Sequence, residues 1–340
     1  MSDDRATPRT RWWHPVVGAL VRFALWTFAI LPEWIAYRLA DLAAVPLIAY
    51  TLLHERRVSR LGRGMFRNQR IVFRDAWTPR LGRRLLMRWA RHMTALGVEF
   101  ARMPRLRRED LERFVNVDEI YRMLLVERPD GALCLTGHMG CWEYSGYVAS
   151  LMGFPVSSIA RPIGVPELDE IMRRRRSGSG QEIIPKVGAL RPMRRVLQRG
   201  DVVGLVADEI RPQNPIFVPF LGTVAPMNPT VAKLHLSTRA PIVVATVQRQ
   251  HGRPRHRYHV WDVIRWQPYD DEETAIFEVS RRINDAYSRA VLSYPEQWLW
   301  GSRRFHVRPA GESLGPDGLP PAVEPVDLSR LPDEWARLLG

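Results

Sequence analysis

A chain of 340 residues with 46% hydrophobic and 25% charged residues has ordinary globular composition, which excludes a disordered chain, a collagen-like chain and a multi-span channel. Its charge is unusual: 50 Lys+Arg oppose 36 Asp+Glu to give +14, and only Lys186 and Lys233 are lysines. Such a chain seeks anions (nucleic acid, anionic lipid headgroups or acidic substrates), and arginine favours bidentate contacts to phosphate or carboxylate. A codon bias accounts for part of the Arg:Lys ratio but not for the excess over acids.

At the N-terminus, Trp12 and Trp13 precede an apolar run over 16–31 interrupted only by Arg22, and a second run over 34–53 is broken by Arg38 and Asp41. Neither reaches the ~18 uninterrupted apolar residues of a membrane span. Trp12, Trp13, Trp26 and Trp34 nevertheless sit where an interfacial aromatic belt would place them. The expectation is an N-terminal apolar helical anchor that lies on a membrane or crosses it once at a tilt; a pair of buried core helices is the alternative. The Met-Ser-Asp-Asp terminus lacks a basic n-region followed by an apolar h-region, so no secretory signal is expected, and two cysteines (Cys134 and Cys141) point to a reducing compartment. No GxGxxG, P-loop, zinc-finger spacing or internal repeat occurs.

Residues 60–102 read as helical, with Leu85, Leu86, Trp89, Met93 and Leu96 forming one apolar stripe. Beyond 130 the texture changes. Strands are predicted at 132–136, 154–160, 183–184, 202–207, 216–220, 242–248 and 258–264. Helices are predicted at 141–152, 168–176, 190–198, 230–237 and 272–292. A Gly/Pro-rich linker and a short helix at 332–339 follow Pro309 and look dispensable for chemistry. The pattern predicts an α/β fold with a mostly parallel central sheet flanked by helices. It divides the chain into membrane-associating helices (1–58), an α/β domain (59–310) and a linker with terminal helix (311–340).

In open α/β sheets ligands bind at the carboxyl ends of the strands. His138 comes two residues after the strand at 132–136, Arg161 directly follows 154–160, and Asp208 and Glu209 directly follow 202–207. A base, a cation and carboxylates thus meet at one edge. Within Thr136-Gly-His-Met-Gly-Cys-Trp-Glu143, His138 and Glu143 form an H-x4-E pattern. A turn at Gly137 and Gly140 would bring Glu143 back toward the imidazole, fix its tautomer and make it a general base for a substrate hydroxyl. Two rival chemistries use the same stretch: Cys141 as a thiolate nucleophile, or Cys134, His138 and Cys141 as metal ligands. The mid-strand position of Cys134 and the lack of a paired CxxC weigh against the metal, so none is expected. Arg173, Arg174, Arg175 and Arg176 make either a solvated helix face or a phosphate-holding cluster, joined by Lys186, Arg191, Arg194 and Arg195. Residues 217–222 read as a core strand and turn rather than part of a channel.

Several of these blocks resemble the late acyltransferases of lipid A biosynthesis (lauroyl and myristoyl transferases) and the related phosphatidylinositol mannoside acyltransferases. Gly137-His-Met-Gly-Cys-Trp-Glu143 resembles the family's G-H-x-G-x-W-E form of the HX4(D/E) motif, and Arg161-Pro162 its arginine after the next strand. Residues 184–191 and 200–208 resemble its middle section, and Phe217-Val-Pro-Phe-Leu-Gly222 its F-x-P-F-F-G block. Pro295-Glu-Gln-Trp-Leu-Trp-Gly-Ser-Arg-Arg-Phe-His-Val-Arg-Pro309 resembles its terminal signature, with Ser302 where the family usually has His; Glu209 likewise stands where Gln is commoner.

The resemblance implies a glycerolipid acyltransferase-like fold. The implied activity is transfer of a fatty acyl chain from an acyl-carrier protein or acyl-CoA thioester to a hydroxyl of a membrane glycolipid, a lipid A precursor or similar. His138 would be the base with Glu143 as its partner and Asp208 as a second one. Arg161, Arg173, Arg176, Lys186, Arg303 and Arg304 would contact substrate. No cofactor is implied beyond the thioester co-substrate. The place implied is the cytoplasmic face of the inner membrane, with the anionic membrane surface as a partner and no nucleic acid. The alternative from another class is a non-enzymatic basic module that binds anionic lipid or nucleic acid.

Overall fold

The computed structural model describes residues 11–55, 60–116, 131–208, 214–250 and 256–340. Five helices come first: α1 (His14–Ile30), α2 (Glu33–Glu55), α3 (Arg60–Phe73), α4 (Pro79–Arg102) and the single turn α5 (Leu111–Phe114). The stretch over 60–102 is helical as expected, in two segments, α3 and α4. Arg74 takes a positive φ of 47° after α3, and Thr78 caps α4 by accepting the Leu81 N–H at 3.1 Å, with Pro79 in the first turn.

The remaining elements are β1 (Val115–Asn116), β2 (Ala132–Thr136), α6 (Trp142–Leu151), β3 (Val156–Ala160), α7 (Pro166–Ser177), β4 (Glu182–Pro185), α8 (Leu190–Gln198) and β5 (Val202–Val206). Then come β6 (Ile216–Phe220), β7 (Thr223–Met227), α9 (Thr230–Thr238), β8 (Ile242–Arg249), β9 (His256–Ile264), α10 (Glu272–Ser293) and α11 (Asp333–Ala336). Among the described residues seven strands form one sheet in the order β1-β9-β8-β2-β5-β3-β4, parallel throughout except for β8 against β9. The predicted mostly parallel α/β sheet is thus the architecture found. The apolar runs of β2 and β5 are the signature of strands covered on both faces.

One face of the sheet (Leu133, Leu135, Val203, Val244) packs in the larger core with α4, α8, α9 and α10. The other (Val156, Val202, Val243, Val247) packs under α6 with Tyr144, Tyr147 and Val148. The hairpin β6–β7 stands apart from the sheet. Its turn needs left-handed backbone at Leu221 (φ 48°) and Gly222 (φ 81°), and Val218 and Phe220 are fully buried, as the core reading of residues 217–222 expects.

The N-terminal helices lie against the α/β unit. Ala36, Ala40 and Ala44 recur every fourth residue on the buried face of α2 and allow close approach to α4, against which α2 makes its most extensive helix contact. The opposite face leaves Trp34, Leu42, Val45 and Leu53 exposed, and α1 exposes Val16, Leu20, Phe23, Trp26 and Ile30 in one helical stripe. Among the described residues one helix, over Glu33–Leu53, is long and apolar enough to cross a bilayer by length and composition, with mean hydropathy 1.4.

The last thirty residues strap the back of the molecule. Arg74 donates to the Pro320 carbonyl at 2.7 Å, Thr223 Oγ1 to that of Pro321 at 2.7 Å and Thr78 Oγ1 to that of Leu338 at 2.8 Å. Trp335 is buried beneath the Arg88 guanidinium, which pairs with Glu334.

Candidate active site

Parallel pairing of β2, β5, β3 and β4 brings their carboxyl ends to one edge, and with them His138, Asp208, Arg161 and Lys186. The loop after β2 turns sharply at Gly140 (φ 59°), where an added Cβ would fall 2.0 Å from the Val247 carbonyl oxygen. Only glycine fits there. The loop is pinned from two sides. The Cys141 N–H donates to the Val247 carbonyl at 2.7 Å, the Gly140 N–H to that of Gln297 at 2.9 Å, and the Leu299 N–H to that of His138 at 2.9 Å. Part of the terminal Pro295–Pro309 block therefore serves as an antiparallel brace, Met139 against Trp298.

His138 Nδ1 lies 2.8 Å from Asp208 Oδ1, and the Trp298 indole N–H donates to Asp208 Oδ2 at 3.1 Å. Asp208 is only 2% exposed. Burial alone would raise its pKa, but the neighbouring His138 charge and hydrogen bonds from the His138 ring and backbone outweigh it and hold the carboxyl below its usual range. An ionised Asp208 can only accept a hydrogen bond, so whenever the imidazole is neutral its proton sits on Nδ1 and its lone pair on Nε2. The Trp142 ring meets the imidazole edge-on, centroids 5.4 Å apart.

Glu143 does not take the role read from its spacing. It lies in the first turn of α6 and makes a bidentate pair with Arg176 of α7, at 2.6 and 2.8 Å. The carboxylate at the imidazole Nδ1 is that of Asp208, 70 residues away in sequence. Glu209, which follows it, lies outside the described residues. Arg176 lines the same cavity as His138, while Arg173 is exposed, paired with Glu170 and absent from the lining. Arg161 and Lys186 are exposed at the cavity edge with no ion-pair partner among the described residues. Of the terminal pair, Arg303 is half-buried and off the cavity, and Arg304 belongs to the core. At 1% exposure Arg304 donates to Asn284 Oδ1 at 2.6 Å and to the Pro226 carbonyl, and stacks over Phe220 at 4.6 Å. Burial lowers its pKa to about 10, with Asp208 and Tyr287 acting the other way. Two of the expected substrate contacts, Arg173 and Arg304, are thus committed elsewhere.

The rival chemistries lose their geometry. Cys141 is fully buried and off the cavity, and burial with the nearby Glu99 pushes its thiol well above the ordinary range. Burial raises the Cys134 thiol to about 12. The three donors that come within metal-binding distance among the described residues are Glu99, Cys141 and His256, not Cys134, His138 and Cys141. Arg249 already clamps both Glu99 oxygens at 2.6 Å, and His256 Nε2 lies 2.8 Å from one of them. This buried cluster supports the site from behind: Arg249 exchanges backbone hydrogen bonds with the Gln297 side chain at 2.9 and 2.8 Å, and Gln297 holds Gly140. No sequence spacing announces it, since Glu99 and Arg249 stand 150 residues apart.

The cavity entered at His138 measures about 940 Å³. It straddles the sheet edge. On the α6 side it is lined by Val156, Ser158, Gly204, Cys134, Ala245 and Val260, contributed by β3, β5, β2, β8 and β9. Five strands at the usual spacing span about 19 Å. On the other side it is lined by Ile159, Leu205, Met193, Met227 and Val231. The edge thus joins an oriented imidazole, cations without an ion-pair partner among the described residues and a long chamber more apolar than polar in its lining, an arrangement with room for a ligand that has an anionic head and a hydrocarbon tail.

Residues 9–307 match the family model described as bacterial lipid A biosynthesis acyltransferase. The chain belongs to that family. It is similar to a lipid A biosynthesis palmitoleoyltransferase of Escherichia coli (strain K12) and to a lipid A biosynthesis acyltransferase of Shigella flexneri. Each is 26% identical over 200 residues, a stretch that covers 58% of this chain and 62% of the relative. The aligned part thus spans less than two thirds of the curated relatives.

Proposed function

We propose that this protein transfers a fatty acyl chain from a thioester, on acyl-carrier protein or coenzyme A, to a hydroxyl of a phosphate-bearing membrane glycolipid of the lipid A precursor type. The observation that carries the reading is the imidazole of His138, held at 2.8 Å by a buried carboxylate at the mouth of a chamber more apolar than polar in its lining. Nε2 of His138 takes the hydroxyl proton while the hydroxyl oxygen bonds to the thioester carbonyl carbon. Collapse of the tetrahedral intermediate breaks the C–S bond, and the imidazolium returns the proton to the departing thiolate. Asp208 orients the ring and stabilises the imidazolium. Arg161 and Lys186 meet the acceptor's phosphate or the developing oxyanion, and the Glu143–Arg176 pair shapes the rim. The acyl chain occupies the lobe under α6, and the apolar faces of α1 and α2 rest on the membrane that supplies the acceptor, at its cytoplasmic face.

The test is lipid mass spectrometry of a host lacking the gene, with and without the wild-type chain restored. The expected difference is one acyl chain on a phosphorylated glycolipid. Identical glycolipids in the two strains would rule the reading out.

A further inference from the structure

A second concavity shares no lining residue with the catalytic chamber. It measures about 1100 Å³ and runs between the first half of α2 and the middle of α4. Arg84, Arg88 and Arg91 recur along one face of α4, and Arg38 faces them from α2. These cations are not equally committed. Arg88 is held by Glu334 at 2.6 Å. Arg91 reaches Asp41 only at 4.0 Å, and Arg38 and Arg84 have no ion-pair partner among the described residues. Three exposed guanidiniums with weak or no pairing line a concave surface, although pairing them with acids within the chain would lower their mutual repulsion.

The surroundings indicate what kind of anion fits. Trp34, 70% exposed, stands in the groove wall at the start of α2, whose outer face continues as Leu42, Val45 and Leu53. Arginine and tryptophan next to an apolar helix face suit the headgroup layer of a bilayer, where guanidiniums meet phosphates and the indole sits between water and hydrocarbon. Glu33 and Asp41, also in the lining, are placed to accept from hydroxyls. A headgroup that carries both phosphate and hydroxyls matches these arginines and the two carboxylates.

We infer that the α2–α4 groove binds the phosphate-bearing headgroup of a membrane lipid, separately from the reacting acceptor, and so seats the enzyme on an anionic bilayer. This inference does not rest on the acyl-transfer reading, because its readout is binding.

The experiment compares the full chain with R84Q/R91Q, R84K/R91K and a control pair at exposed arginines elsewhere, R257Q/R337Q, in co-sedimentation with vesicles. One vesicle set is phosphatidylcholine alone, and the other contains phosphatidylglycerol. The wild-type chain gains affinity from phosphatidylglycerol, in a salt-sensitive way. R84Q/R91Q loses roughly tenfold of that gain while binding neutral vesicles as wild type, which also reports that it is folded. The lysine pair and the control pair keep the gain. An unchanged gain in R84Q/R91Q, or an equal loss in the control pair, overturns the inference. So does loss of binding to acyl-carrier protein with lipid binding intact, which would assign the groove to that acidic partner.

Discussion

At the scale of single residues, the account turns on which carboxylate serves the imidazole. Asp208→Asn is expected to lower kcat by about 10²–10⁴-fold with KM little changed, since Asn supports the wrong tautomer and cannot stabilise an imidazolium. Initial rates with a purified acceptor check this, and an unchanged kcat would remove Asp208 from the mechanism. Glu143→Gln acts on Arg176 instead and is expected to raise KM more than it lowers kcat, through a loosened rim. His138 was legible in the sequence because an apolar strand, a glycine turn and an H-x4-E spacing converge on it. Its partner was not legible by spacing. Helix α6 starts at Trp142 and points Glu143 toward α7, and a strand order that places β5 beside β2 delivers Asp208. The terminal arginines misled for a related reason. A sequence block can be built around a buried cation such as Arg304 as readily as around a substrate contact.

At the scale of elements, two devices have measurable consequences. The Glu99–Arg249–His256 cluster joins α4 to the ends of β8 and β9 and braces the loop that carries His138 through Gln297. Burial would raise the pKa of Glu99, but Arg249 and His256 more than compensate and hold it far below the usual carboxylate range. A carboxylate depressed in the folded state stabilises fully above its unfolded pKa, and that contribution fades as pH falls toward the folded value. Glu99→Gln is therefore expected to cost about 3–5 kcal/mol at neutral pH and to flatten the loss of stability on acidification. Urea unfolding across a pH series measures both effects. Wild-type and variant curves that fall in parallel with acid would refute the assignment. The second device is Gly204 in β5, which lines the α6-side lobe with Ser158 opposite; an added Cβ would lie 3.0 Å from the Ser158 Oγ. Gly204→Val is expected to shorten the transferred chain at a stability cost of about 1–3 kcal/mol. Product mass spectrometry reads the chain length, and an unchanged acyl profile would place the chain elsewhere.

At the scale of the whole molecule, alternating apolar runs and amphipathic stretches announced the α/β layering, since buried parallel strands and their crossover helices leave local patterns. Features made by long-range packing left no such trace. The break between α3 and α4 depends on a cap and a positive φ, β7 follows a tight turn that reads as loop, and the terminal strap is held largely by backbone carbonyls. That strap contributes to the fold even where it adds nothing to the chemistry: Trp335→Ala is expected to cost about 3–5 kcal/mol in thermal or urea unfolding. The excess of arginine divides by place. Arg304 is buried and Arg249 partly buried, both in structural pairs; Arg161 and Arg176 stand at the rim of the His138 cavity, and Arg38, Arg84 and Arg91 line the groove beside the apolar face of α2. The central claim is that His138 is the proton acceptor in acyl transfer. It is tested most directly by the single-turnover rate of His138→Ala with a thioester donor and glycolipid acceptor, beside its melting curve. The account predicts a rate lowered by at least about 10²-fold with melting unchanged; transfer at the wild-type rate would contradict it.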